Sequence, residues 1–251
     1  MVVGVIGCGN MGSALARGWG IPVLCADAAP RLAEQLAAET GGEALASNEE
    51  LAERADLVVL CHKPFQLAEV AAQTGGRPRA IASILAGVPL SDLEAAYPET
   101  PVARLMPNTA VEVGRGVVCY VPGPRVDDAL SSGIVELFGR CARVVPVQEK
   151  LIDVAMGLMS VAPAYVALFA EAWIDAGVAR GMPAEQASEL VVEAIAGSAE
   201  LLTARDMDTL RVRRAVTTPG GVTAQGLAAL ERGGIRPALR DALDAVLDHS
   251  T

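Results

Sequence analysis

Val2-Val3-Gly4-Val5-Ile6-Gly7-Cys8-Gly9-Asn10-Met11-Gly12-Ser13-Ala14-Leu15 is the stretch that decides the fold. Val2–Ile6 reads as a short buried strand, and Met11–Trp19 carries apolar residues at helical spacing. Between them stands G-x-G-x-x-G. That spacing is weak alone, but between a strand and a helix it has a mechanism. Gly7 permits a tight turn, Gly9 lets a pyrophosphate approach the backbone, and Gly12 lets helix and strand pack closely. Asn10 and Met11 open the helix, whose N-terminus offers unpaired N–H groups and a positive dipole end to phosphates. The pattern predicts a dinucleotide site. A glycine-rich turn needed only for packing is the alternative.

Asp27 follows the next expected strand, Pro22–Ala26, and stands 27 − 7 = 20 residues after the first glycine. A carboxylate there accepts hydrogen bonds from the adenosine ribose hydroxyls and repels a 2′-phosphate. Ala28 and Ala29 follow it, not arginine. NAD(P)H is therefore the expected cofactor, with a lean to NADH. The other reading of Asp27 is a plain cap for the helix that starts at Pro30.

Outward from this segment, short β-rich runs alternate with helical patterns as far as residue 148. Asp56–Cys61, with Leu-Val-Val-Leu, reads as a parallel strand buried on both faces. Asn48–Arg54 reads as a short helix with Asn48 as its cap. Such a βαβ series predicts a doubly wound, mostly parallel sheet with helices on both faces. After Gln148 the strand signals stop. Glu149–Leu158, Pro163–Arg180, Ala184–Ala204, Asp208–Ala215, Val222–Arg232 and Arg236–Leu247 all read as helices. The expected domains are 1–148, α/β of Rossmann type, and 149–251, all-helical. Pro163–Arg180 is apolar on most of its faces, so it predicts burial against the same helix of a second copy.

Composition removes several classes of function. The 251 residues are 52% hydrophobic and 20% charged, so a large core is available and long disorder is not expected. The net charge of −10 repels phosphate backbones, so nucleic acid is not an expected partner. Only His62 and His249 are present, which excludes a His-rich metal site. The five cysteines form no CxxC pair and read as reduced thiols of a cytoplasmic protein. No signal peptide is legible. The longest uncharged run, Val154–Ala170, is shorter than a membrane span needs.

Thr217-Thr218-Pro219-Gly220-Gly221-Val222-Thr223 precedes the helix that ends at Arg232. Two threonines, a proline and two glycines before a helix can form an anion nest. The backbone N–H groups of Gly221, Val222 and Thr223 could hold a small carboxylate, with the Thr223 hydroxyl reaching a neighbouring polar atom. An ordinary capped helix start is the alternative.

Taken together these pieces resemble pyrroline-5-carboxylate reductases over nearly the whole chain. The matching motifs are Gly7–Gly12, Ser47-Asn48-Glu49-Glu50, Lys63-Pro64, Ser83 with Ala86-Gly87-Val88, Arg104-Leu105-Met106-Pro107-Asn108-Thr109, Pro163-Ala164-Tyr165, Val216–Gly221 with Thr223, and Glu231-Arg232-Gly233-Gly234. The resemblance implies a Rossmann domain followed by a helical dimerisation domain, and dimers that can assemble further. It implies that Asn48 contacts the adenosine ribose and that Cys61, His62, Lys63 and Pro64 lie along the cofactor. Met106 and Asn108 would stand near the nicotinamide. Thr218, Gly220, Gly221, Val222 and Thr223 would cradle the substrate carboxylate, with the Thr223 hydroxyl facing the ring nitrogen.

The implied reaction is hydride transfer to C5 of 1-pyrroline-5-carboxylate, giving proline. There are departures. Met159-Ser160-Val161-Ala162 stands where such sequences read Ser-Gly-Ser-Gly, and Met156 where threonine is usual. Larger side chains there are expected to narrow or reshape the site. A reductase of another cyclic imino acid, a β-hydroxyacid-dehydrogenase-like enzyme using Lys150, and a nucleotide-binding protein without turnover are the other readings.

Overall fold

The computed structural model describes the backbone of residues 1–250 and the side chains of residues 1–248, so the His249 side chain lies outside the described residues. The chain divides into two compact units, Met1–Val161 and Ala162–His249.

The first unit is built on an eight-stranded sheet in the order β3-β2-β1-β4-β5-β6-β7-β8. The strands are β1 (Val3–Ile6), β2 (Leu24–Ala26), β3 (Glu43–Ala44), β4 (Leu57–Leu60), β5 (Ile81–Ser83), β6 (Val102–Pro107), β7 (Gly116–Pro122) and β8 (Ala142–Pro146). The first six run parallel; β7 reverses against β6, and β8 runs parallel to β7. The two-residue period of a strand explains the apolar runs. Val3, Val5, Leu57 and Val59 enter one core cluster, and Ile6, Val58 and Leu60 enter the other. Helices α1 (Asn10–Trp19), α2 (Pro30–Thr40) and α6 (Asp128–Gly139) cover the first face, where Trp19 meets Phe138 edge-on with ring centroids 5.3 Å apart. Helices α3 (Asn48–Arg54), α4 (Leu67–Thr74) and α5 (Leu90–Ala96) cover the second with Leu51, Val70 and Leu93.

Three local details depart from the sequence reading. Strand β3 was not expected. Ser47, not Asn48, caps α3: its Oγ accepts the Glu50 N–H at 3.1 Å. The expected helix Glu149–Leu158 is broken into a tight turn at Glu149–Leu151, helix α7 (Ile152–Ala155) and one wide π-type turn, Met156–Ser160. Tertiary contacts override helical propensity there. A Glu149 carboxylate oxygen accepts from the Leu90 N–H at 2.9 Å and from the Arg104 guanidinium. Ile152 and Met159 pack with Met106, Cys119 and Val121 in a third apolar cluster. The first unit therefore runs past residue 148 to Val161.

The second unit is helical: α8 (Ala162–Val178), α9 (Ala184–Thr203), α10 (Thr209–Ala215), α11 (Val222–Arg232) and α12 (Ile235–Ser250). Helices α8 and α9 pack together with Ala187 and Val191 buried. Helix α8 itself has no buried residue, although it is the most apolar helix of the chain; Leu168 is 65% exposed and Trp173 49%. By length and composition the helical stretch Glu149–Val178 could cross a membrane, which the uncharged run alone did not suggest. All five cysteines are free thiols.

Candidate active site

From β1 the chain crosses to β2 on one side, and from β3 it returns to β4 on the other. Ligands of such sheets bind where the strand order reverses, outside the carboxyl ends of the strands. A cleft of about 1130 Å³ opens there. Its walls are the residues that follow β1 (Gly7, Gly9), β2 (Asp27, Ala28), β4 (Cys61, His62, Lys63) and β5 (Ile84, Leu85), with Met106 and Pro107 at the end of β6.

The three loop glycines differ in kind. Gly7 has φ +99°, and a Cβ on it would lie 2.5 Å from the His62 backbone nitrogen. A Cβ on Gly12 would lie 2.3 Å from the Gly7 carbonyl oxygen, so this residue sits behind the loop and does not line the cleft. A Cβ on Gly9 meets nothing within 4 Å. Gly7 and Gly12 are thus demanded by packing, whereas Gly9 borders open cleft. Gly9 also caps α1, which has no side-chain cap and no acid in its first turn. The first helical N–H groups remain available for an anion, and the loop fits a pyrophosphate.

Asp27 lines the cleft after β2, and α2 itself begins with Ala29 as its cap residue and no side-chain cap. Asp27 Oδ2 accepts the Cys8 N–H at 2.7 Å and its Oδ1 accepts the Ala29 N–H at 2.8 Å. The carboxylate therefore ties the glycine loop to the start of α2. Each oxygen keeps a lone pair for a ribose hydroxyl. Lys63 is the one Lys or Arg that lines the cleft among the described residues, and Asp27, Glu49 and Glu69 are its acids.

Asn10, Met11, Asn48, Cys61, His62, Lys63, Pro64 and Met106 all line this cleft with Gly7, Gly9 and Asp27. The Asn48 side chain donates to Gln73 Oε1 at 2.6 Å. Burial pushes the Cys61 thiol up, so it stays protonated. His62 Nδ1 lies 2.9 Å from the Lys63 carbonyl oxygen, and its buried Nε2 has no partner. Burial holds the His62 ring below its ordinary 6.5, hence neutral.

Asn108 does not line the cleft. It is 7% exposed, and both ends of its amide are engaged: Oδ1 accepts the Val117 N–H at 3.0 Å and Nδ2 donates to the Met159 carbonyl at 3.1 Å. Met159 does not narrow the cleft either, because its side chain is buried in the third cluster. The residue of that turn that does line the cleft is Ser160, beside Met106 and Pro107. Sequence reasoning placed this turn at the site without singling out Ser160, because no local pattern tells which residue of a π-type turn faces outward.

In the second unit, Thr218-Pro219-Gly220-Gly221 forms a turn closed by the Gly221 N–H on the Thr218 carbonyl at 3.0 Å, with Gly220 at φ +71°. Proline second and glycine third is the order a type II turn asks for. The Gly221 N–H is thereby engaged and leaves the expected nest. Val222 and Thr223 open α11, which has no side-chain cap and no acid in its first turn.

Fold and cleft define a dinucleotide-binding protein of Rossmann type with an appended helical unit. Residues 149–251 match the family model for pyrroline-5-carboxylate reductase dimerisation, and residues 2–87 match one described as NADP oxidoreductase, coenzyme F420-dependent. A pyrroline-5-carboxylate reductase of Synechocystis is 35% identical over 206 residues, covering 81% of this chain and 77% of that protein. One of Mycobacterium tuberculosis is 32% identical, covering 99% and 95%. A crystal structure of Plasmodium falciparum pyrroline carboxylate reductase with NADP bound superposes with a TM-score of 0.86 at 29% identity, covering 100% of this chain and 97% of that one. The chain belongs to the pyrroline-5-carboxylate reductase family.

Proposed function

We propose that the protein reduces 1-pyrroline-5-carboxylate to L-proline with NAD(P)H. The observation that carries this reading is a glycine cradle at the switch point of the sheet, in a chain whose family relatives match it from end to end. When bound, the reduced nicotinamide supplies a hydride to C5 of the ring. Gly7, Gly9, Asn10, Met11 and Gly12 build the pyrophosphate seat; Asp27 and Asn48 take the adenosine ribose. Cys61, His62, Lys63, Pro64 and Met106 carry the cleft toward the nicotinamide, with Asn108 behind them. The Thr218-Pro219-Gly220-Gly221 turn shapes the carboxylate trap, and the N–H groups of Val222 and Thr223 donate to it. The Thr223 hydroxyl orients the ring nitrogen. A protonated imine is already electrophilic, so the chain's task is positioning more than proton transfer. This suits a cleft whose one histidine is held neutral.

Asp27 and Glu49 at the ribose end, with no Lys or Arg lining the cleft there among the described residues, favour NADH over NADPH. The apolar, exposed α8 supports pairing with a second copy, and such dimers can assemble further. Five free thiols suit the cytoplasm.

The test is loss of reduced-nicotinamide absorbance with 1-pyrroline-5-carboxylate, in parallel with NADH and NADPH. Turnover with higher kcat/KM for NADH is expected; binding without turnover on five- and six-membered cyclic imino acids overturns the reading. Thr223→Ala is expected to lower kcat while leaving NADH affinity unchanged. Full activity in that variant removes Thr223 from the mechanism.

A further inference from the structure

We propose that the Ser160 hydroxyl hydrogen-bonds the carboxamide of the bound nicotinamide, and that Asn108 is the positioning residue that holds it there. This rests on the cofactor reading above. Asp27 follows β2, and the glycine loop follows β1. A dinucleotide with its adenosine at Asp27 and its pyrophosphate over β1 extends its other end across β4 and β5 toward β6. From β2 to β6 is four strand steps, roughly 19 Å at about 4.8 Å each. Ser160 stands at that far end beside Met106 and Pro107.

Ser47 and Ser160 are the two serines that line the cleft, and the Ser47 hydroxyl is engaged in capping α3. The Ser160 hydroxyl makes no hydrogen bond among the described residues. It can donate and accept at once, and a carboxamide offers a carbonyl oxygen and two N–H donors.

What fixes Ser160 is the residue before it. The Met159 carbonyl is held by Asn108 Nδ2 at 3.1 Å, its side chain is buried against Met106 and Cys119, and the start of the segment is held by Glu149 on Arg104. Asn108 itself is locked by the Val117 N–H on its Oδ1. An aspartate at 108 keeps that acceptor but cannot donate to Met159.

The experiment measures dissociation constants of NADH and of ADP-ribose, which lacks the nicotinamide, on the full chain without imino acid. Ser160→Ala is expected to weaken NADH by about three- to tenfold, the value of one hydrogen bond. ADP-ribose affinity should stay unchanged. Ser160→Thr, which keeps the hydroxyl, should retain most NADH affinity. Asn108→Asp should weaken NADH in the parent but add nothing in the Ser160→Ala background, because it acts through Ser160. Unchanged NADH affinity in Ser160→Ala, equal losses for ADP-ribose, or additive effects of the two substitutions overturn the proposal. If Asn108→Asp does not fold, the Ser160 variants still decide the contact. Absent turnover with intact binding contrasts would defeat the reductase reading and leave this one standing.

Discussion

Gly9→Ala should separate cofactor binding from folding. Gly9 caps α1 with φ −73° and ψ −171°, dihedrals that alanine adopts freely. A Cβ there meets no heavy atom within 4 Å. Loss of the cap preference costs about 0.5–1 kcal/mol, and the stiffer unfolded chain returns about 0.4–1 kcal/mol. The two nearly cancel, so the melting temperature should move by less than about 2 °C. In the proposed seating of the diphosphate, the same Cβ stands in the open cleft between the phosphate and the helix N–H groups. Losing one such charge-assisted hydrogen bond costs about 1.5–3 kcal/mol, which raises Kd for NADH about 10- to 150-fold. Gly12→Ala is the contrasting control. Its Cβ would lie 2.3 Å from the Gly7 carbonyl oxygen and 3.1 Å from the Cys61 Cβ. Neither is the far end of a flexible side chain, so overpacking should cost about 1–3 kcal/mol with no ligand present. The assay pairs ligand-free thermal melts with NADH titrations followed by tryptophan fluorescence. A Gly9→Ala protein that binds NADH with the parent's Kd, or that melts several degrees lower, refutes the reasoning.

Three further outcomes are expected. Glu149→Gln should destabilise by about 1–3 kcal/mol, because it removes the countercharge of the Arg104 guanidinium while the Gln carbonyl can still accept; the Arg104 side chain is 5% exposed and its Nε has no partner. Arg104→Met should cost at least as much, since it leaves the Glu149 carboxylate, whose buried Oε2 has no partner, with the Leu90 N–H alone; a smaller loss for Arg104→Met in urea midpoints would contradict this order. Burial depresses the His62 pKa below 6.5, so the unfolded chain takes up that proton first as pH falls. Its stabilising contribution is full above about pH 6.5 and is lost as pH drops toward the folded-state value. His62→Gln should flatten the stability profile just below neutrality, while the loss carried by Asp56, whose carboxyl is lowered by the Val2 N–H, should remain at lower pH. An unchanged profile would show that His62 does not titrate differently on folding. Trp173→Glu on the exposed face of α8 should shift sedimentation toward monomer, and an undisturbed oligomer would place the pairing surface elsewhere.

Most of the sheet was legible because its strands obey one rule. Val3–Ile6 and Leu57–Leu60 are buried on both faces, so apolar content alone marks them. Strand β3 was missed for the converse reason: Glu43 and Ala44 pair with β2 through backbone bonds that leave no apolar signature. The α3 cap shifted by one residue because Ser47 and Asn48 are both good caps, and only the fold decides which Oγ or Oδ reaches Glu50. The candidate cleft was legible wherever backbone geometry demands a residue type, as at Gly7 and Gly12. It was not legible at Asn108, whose neighbours Val117 and Met159 are distant in sequence. The same holds for Met159, which looks like an obstruction in the linear motif and is a buried anchor in the fold.

The double grip of Asp27 on Cys8 and Ala29 has a practical consequence for anyone retooling this protein toward the phosphorylated coenzyme. The residue that would be exchanged first is also the staple of the glycine loop proposed to seat the diphosphate. Replacing it by an apolar residue would orphan two amide donors at once, at about 1–3 kcal/mol for each that stays out of water. A neutral acceptor such as Asn or Ser would remove the charge and retain part of the staple. Coenzyme choice and loop rigidity are thus heritable only together, and a redesign that treats position 27 as a simple selector would loosen what it meant to redirect.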